Sequence, residues 1–216
     1  IIGNSTPAWD DLAIGGNHMF LRSDGTDPSY SGIKPFDPLG VGGPWLGNGR
    51  TEDISFGLGT DVKTACGPYT ALVDMTVKSV WILIRTISGT PGARAVLYGD
   101  VAGVPTSLAG TSAEVLISNT SFAWIEFTFA TAVSLAAQGK SWIGVHSSSA
   151  NLRGEVSSGT TGYAQSVGLT LITNSDAYAG GASDPFGAGS SSNQVLSAYI
   201  EDQMAGAGSV LADRFF

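Results

Sequence analysis

The 216-residue chain has little cysteine, little histidine and little charge, and each scarcity removes a class of protein. One cysteine, Cys66, cannot close an internal disulfide, so stability has to come from core packing. With no histidine near it in sequence to activate it, Cys66 reads as a small buried hydrophobe. The two histidines, His18 and His146, form no pair at ligand spacing with each other or with Cys66, which leaves no zinc motif. No Gly-x-Ser-x-Gly elbow accompanies them, and no Walker-type loop occurs. Glu114, Glu126 and Glu155 show no sign of the paired carboxylates that a glycosidase needs. The chain therefore reads as no enzyme.

Charged residues make up 13% of the chain, and the ten Lys and Arg are scattered singly from Arg22 to Arg214. Without a basic run there is no phosphate-tracking surface, so nucleic acid is not an expected partner. The net charge of −8 favours solubility and carries no information about fold. Val80–Ile84 is the longest clear apolar run, far short of the ~20 residues of a membrane span. The start at Ile1 rather than Met fits a removed leader or a fragment.

What is present is glycine, 30 residues of it, within a chain that is 43% hydrophobic, a balance that suits strands and turns better than long helices. The expectation is an all-β, antiparallel β-sandwich, jelly-roll-like, with helix content near zero. Residues 1–70 read as a loop-rich N-terminal layer on the sandwich, because Gly and Pro break the segment at short intervals. That layer carries Trp9, Tyr30, Trp45 and further aromatics, too many for a solvated tail. Short strands are expected in it near Ile14–Leu21 and Asp53–Leu58. Residues 71–201 read as the sandwich core and 202–216 as a C-terminal tail, all within one domain.

The core region shows successive β-segments: Leu72–Val77, Ser79–Ile87, Ala93–Tyr98, Ala113–Ile117, Trp124–Phe129, Ser141–His146 and Gly168–Ile172, with Gln194–Glu201 returning to the sheet. In Phe122–Phe129, period two puts Ile125, Phe127 and Phe129 on one face and Trp124, Glu126 and Thr128 on the other. The first face is core, together with Ile82, Ile84, Ile143 and Val145. Turns fall at Ser88–Gly92, Gly99–Pro105 and Gln138–Lys140.

The order from Val80 to Ser147 carries a resemblance. It runs through Gly89-Thr-Pro-Gly92, Ala93-Arg-Ala-Val-Leu-Tyr-Gly-Asp100, Gly103-Val-Pro105, Trp124-Ile-Glu-Phe-Thr-Phe129, Val133-Ser-Leu135 and Gly139-Lys-Ser-Trp-Ile-Gly-Val-His146. This resembles the jelly-roll-like β-sandwich domains of bacteriophage structural proteins and related secreted bacterial proteins. The resemblance implies a non-enzymatic decoration, fibre or tail-associated protein at a virion surface or outside the cell, assembling with copies of itself and other structural proteins. Recognition of surface glycans, as by a carbohydrate-binding module, and a place in an extracellular filament are the alternatives.

Binding candidates follow from residue type. Trp9, Tyr30 and Trp45 are candidate sugar platforms, since an aromatic face can stack on a sugar ring. Asp24 and Asp27 flank a tight turn, and calcium is the one metal left open there, although such a site takes about six to eight oxygens. No other cofactor is expected. Trp45, Leu46, Val210, Leu211, Phe215 and Phe216 stand beside glycine-rich backbone, and are expected to be buried at assembly contacts.

Overall fold

A computed structural model describes residues 22–23, 28–29, 45–48, 54–71, 73–158 and 169–202 of the chain. The chain divides into two units, Ile1–Asp37 and Pro38–Phe216. In the first, the described residues form one antiparallel pair, β1 (Arg22–Ser23) with β2 (Pro28–Ser29). The second begins with β3 (Trp45–Asn48), β4 (Ile54–Gly57), β5 (Val62–Thr70), β6 (Met75–Thr86), β7 (Gly92–Val101) and β8 (Val104–Thr111). It continues with β9 (Val115–Leu116), β10 (Ala123–Leu135), β11 (Lys140–Ser147), β12 (Leu152–Ser158) and β13 (Thr170–Ser175). After a 3-10 turn, Tyr178–Gly180, come β14 (Ser190–Ser192), β15 (Gln194–Leu196) and β16 (Ala198–Asp202). No α-helix occurs among the described residues.

Two seven-stranded antiparallel sheets make the sandwich, β3, β4, β6, β10, β12, β15 and β16 in the first and β5, β7, β8, β9, β11, β13 and β14 in the second. Alternation decides which residues meet between them. Ile82, Ile84, Phe127, Phe129, Ile143 and Val145 all lie in the core cluster between the sheets, with partly buried Ile125 packed against it. The fold class and the inward face of each of these strands are as the sequence indicates.

Several boundaries differ, each for a local reason. The two segments expected on either side of Lys78 are one strand, β6. Val77 pairs with Asp202 and Val80 with Ile200, so Lys78 and Ser79 together oppose Glu201. This bulge shifts the inward positions from Met75 and Val77 to Val80, Ile82 and Ile84, and the broken alternation imitates a strand end. The turn expected over Gly99–Pro105 shrinks to Ala102-Gly103, both at positive φ, the geometry of a two-residue hairpin.

The largest correction concerns residues 62–70. Expected inside the loop-rich layer, they form β5, paired with β11 on one side and β13 on the other in the middle of the second sheet. Gly67-Pro68 looks like a breaker in the sequence. In the fold these two residues face Trp142 across a register shift between Tyr69–Ser141 and Cys66–Ile143. A Cβ on Gly67 would come within 2.8 Å of the Trp142 ring, so only glycine admits the indole there. β4 lies within the expected Asp53–Leu58 segment. The expected strand at Ile14–Leu21 and the tail 203–216 lie outside the described residues.

Candidate functional site

Two places gather chemistry, one on the outer face of each sheet. On the first sheet, the register sets Trp81 of β6 opposite Glu126 of β10 and Tyr199 of β16, while Trp124 of β10 stands opposite Leu83. These are the positions that alternate with the core, so their side chains leave the sandwich. The Trp81 and Tyr199 rings lie 6.3 Å apart with planes 12° from parallel, and Trp124 meets Tyr199 edge-on at 5.0 Å. All three rings are half-buried, and Leu83 is buried among their strands. On β3, Gly47 faces Tyr199 with φ of 132°, and a Cβ there would strike the Ala198 carbonyl oxygen at 2.3 Å.

Beside the rings lies a pair of like charges. Arg85 of β6 is directly opposite Arg153 of β12. The Arg85 guanidinium sits 5.0 Å from the Phe122 ring centre and its Nη1 donates to the Thr120 carbonyl at 3.3 Å. Arg153 Nη1 donates to the carbonyls of Ala150 and, at 3.0 Å, Leu152. Neither arginine has a carboxylate partner among the described residues, whose ion pairs are Lys63–Asp176 and Arg94–Glu114. Like charges directly opposite across a ladder repel, so this pair costs stability that an anion would offset.

The outer face of the second sheet is covered rather than open. A second apolar cluster forms there from Ala65, Val96, Tyr98, Trp142, Ile172 and Phe186, the last supplied by the segment Asp176–Gly189 that folds back over the sheet. Lys63 is wholly buried under this segment. Its ammonium donates to Ser183 Oγ and to the Phe186 carbonyl at 3.0 Å, pairs with Asp176 Oδ2 at 3.2 Å and lies 4.8 Å from the Phe186 ring centre. Asp176 holds its proton less tightly than an ordinary carboxyl, because the Ser183 amide and the Lys63 ammonium outweigh the opposing effect of its own desolvation.

Next to Lys63 in the ladder is His146, and beyond it Arg94. His146 is buried, its ring 5.0 Å from that of Tyr178 and its Nε2 2.9 Å from the Asp176 carbonyl oxygen. Burial above all depresses the imidazole pKa below its usual value, with Arg94 and Lys63 acting in the same direction and Asp176 against them. Cys66 is buried and hydrogen-bonded to the Tyr69 hydroxyl at 3.3 Å. Desolvation pushes its thiol up to about 11, so it stays protonated and unreactive at neutral pH.

Of the residues singled out from sequence, Leu46 is placed differently from expectation. It is 7% exposed and belongs to the core cluster, because β3 pairs with β16 and turns it inward. Its apolar side chain is therefore buried by this chain itself and needs no neighbour to cover it. Trp45 takes a ladder position opposite Glu201, and its side chain lies outside the described residues, as do Trp9, Tyr30, Asp24, Asp27, Val210, Leu211, Phe215 and Phe216. Among the described residues no group of three or more His, Cys, Asp or Glu could hold a metal ion. No described helix is long and apolar enough to cross a membrane.

Sequence reasoning missed that Trp81, Tyr199 and Arg85 share the outer face of the first sheet with Trp124, although period two had already placed Trp124 off the core. No family model matches the chain, and no curated protein matches it.

Proposed function

We propose that this chain is a non-enzymatic surface protein, of the virion decoration, fibre or tail-associated kind, which assembles with structural proteins and recognises surface glycans through the outer face of its first sheet. The observation that carries the recognition is the grouping of Trp81, Trp124 and Tyr199 with two guanidinium groups that no carboxylate neutralises among the described residues. Aromatic rings offer apolar area to the C–H faces of sugars, and arginine forks bond carboxylate or sulfate in pairs. An acidic glycan would use both. The resemblance of Val80–Ser147 to phage structural domains supports the virion setting. A carbohydrate-binding module of a secreted protein would use the same face without a particle.

The test is a glycan array carrying neutral and acidic sugars, followed by titration of any hit. Trp81→Ala is expected to weaken binding at least about tenfold, the scale of a lost aromatic contact of roughly 1.4 kcal/mol. Arg85→Gln is expected to weaken acidic ligands more than neutral ones, and more so at low salt. Saturable binding that ignores both substitutions would exclude this face, and no glycan binding at all would leave protein–protein assembly as the chain's role.

A further inference from the structure

We propose that His146 is an acid-sensitive latch, whose protonation releases the segment Asp176–Gly189 from the outer face of the second sheet while the strands beneath keep their ladders. A carbonyl oxygen only accepts, so the 2.9 Å contact to the Asp176 carbonyl requires the hydrogen on Nε2. In the neutral ring, Nδ1 is then a bare acceptor, and it is buried with no hydrogen-bond partner among the described residues. Protonation would put a second N–H there, with nothing to receive it.

It would also place a third positive charge in a row. Lys63 of β5 and Arg94 of β7 stand directly opposite His146 on its two sides. From the covering segment, Asp176 and Tyr178 face the ring, the former with its carboxylate committed to Lys63 and to the Ser183 amide. Glu114 reaches Arg94 at 3.3 Å, and Asp61 accepts from the Tyr178 amide at 3.0 Å. Two cations therefore flank the ring, and the nearest anion is already shared.

The weak element in this arrangement is the segment and not the sheet. Partners of all three basic groups lie on it: Ser183, Phe186 and Asp176 for Lys63, the Tyr178 carbonyl for Arg94, and the Asp176 carbonyl for His146. Lifting it lets water reach Lys63, His146 and Arg94 together. The ladders of β11 with β5 and β7 are made by main-chain atoms, even where His146 pairs with Lys63 and Arg94, so the opening removes none of their hydrogen bonds. The exposed surface would include Trp142 and Tyr98, which Phe186 now helps to cover.

The sign follows from proton binding. A base whose pKa is depressed in the closed state binds fewer protons there than when open, so closure is stable above about pH 6.5 and weakens as pH falls below it. Asp176 also favours closure at higher pH, but its own window opens only below about pH 4. Between pH 5 and 8 it is therefore the histidine and not Asp176 that changes charge.

Amide hydrogen exchange on the full chain tests the latch, with rates corrected for the intrinsic effect of pH. Protection of the Phe186 amide, bonded to the Thr106 carbonyl, and of the Tyr178 amide, bonded to Asp61, is expected to fall by up to about tenfold per pH unit below 6.5. Protection of Ile143 and Val145 in β11 should hold. His146→Gln, which can donate to the same carbonyl but cannot charge, is expected to abolish the pH dependence. Equal loss in β11 would mean global unfolding and overturn the latch, as would constant protection from pH 8 to 5. An NMR titration placing the His146 ring at or above pH 6.5 would overturn it without any variant.

Discussion

Replacing Phe127 by alanine is expected to cost roughly 3 to 5 kcal/mol and to lower the melting temperature by about 6 to 20 °C, using about 2 to 4 °C per kcal/mol for a chain of this size. Phe127 has no exposed surface and lies in β10 opposite Val80 of β6, inside the cluster shared by both sheets. Truncation would leave a cavity bounded by strands that belong to two sheets, and ladder hydrogen bonds prevent either from collapsing into it. Thr128, next in the same strand and exposed, should tolerate alanine within about 0.5 kcal/mol. Thermal melts of the two variants side by side make the measurement. An unchanged melting temperature for Phe127→Ala would put the strand one residue out of register, since a single slip exchanges the two faces.

Lys63→Ala is expected to cost a comparable amount, roughly 3 to 5 kcal/mol, through a different mechanism. The ammonium is wholly buried, so deletion strips Asp176, Ser183 and the Phe186 carbonyl of one donor at once and opens a void against the Phe186 and Tyr98 rings. Breaking a buried pair from one side is the costly case, because the surviving partner keeps its desolvation. Lys63→Met fills the same volume with apolar atoms and should recover part of the loss. Calorimetry of the two variants separates charge from packing: equal destabilisation would make the hydrogen bonds dominant, and near-complete recovery by methionine would make the void dominant. Little effect from Lys63→Ala would mean that the segment Asp176–Gly189 is held by its apolar contacts and its other hydrogen bonds, among them Phe186 N–H to the Thr106 carbonyl and Tyr98 O–H to the Ser183 carbonyl.

The two experiments sample what could and could not be read before the fold was known. Phe127 belongs to a stretch whose alternation is unbroken, and its inward direction follows from period two without further information. Lys63 falls in the stretch that Gly and Pro mark as loop-rich, and lysine is a residue type seldom found buried. It is buried because a segment 120 residues later in the chain covers it, and no local pattern announces such a return. The aromatic outer face of the first sheet divides in the same way. Period two sets Trp124 off the core, but Trp81 and Tyr199 join it only through pairing of β6 with β10 and β16, and the bulge at Lys78-Ser79 hides the phase of β6.

Sequence alone determined that this protein is an antiparallel β-sandwich and which residues of its clearest strands face inward. Alternation and turn chemistry act over a few residues, so they are written locally. Tertiary structure decided that Gly67-Pro68 lies within a central strand, that Leu46 is core, that two arginines face each other, and that Lys63 and His146 are roofed over. Each of these depends on which distant strand or segment becomes a neighbour. That choice is made by the summed burial of both sheets, a quantity no window of the sequence contains.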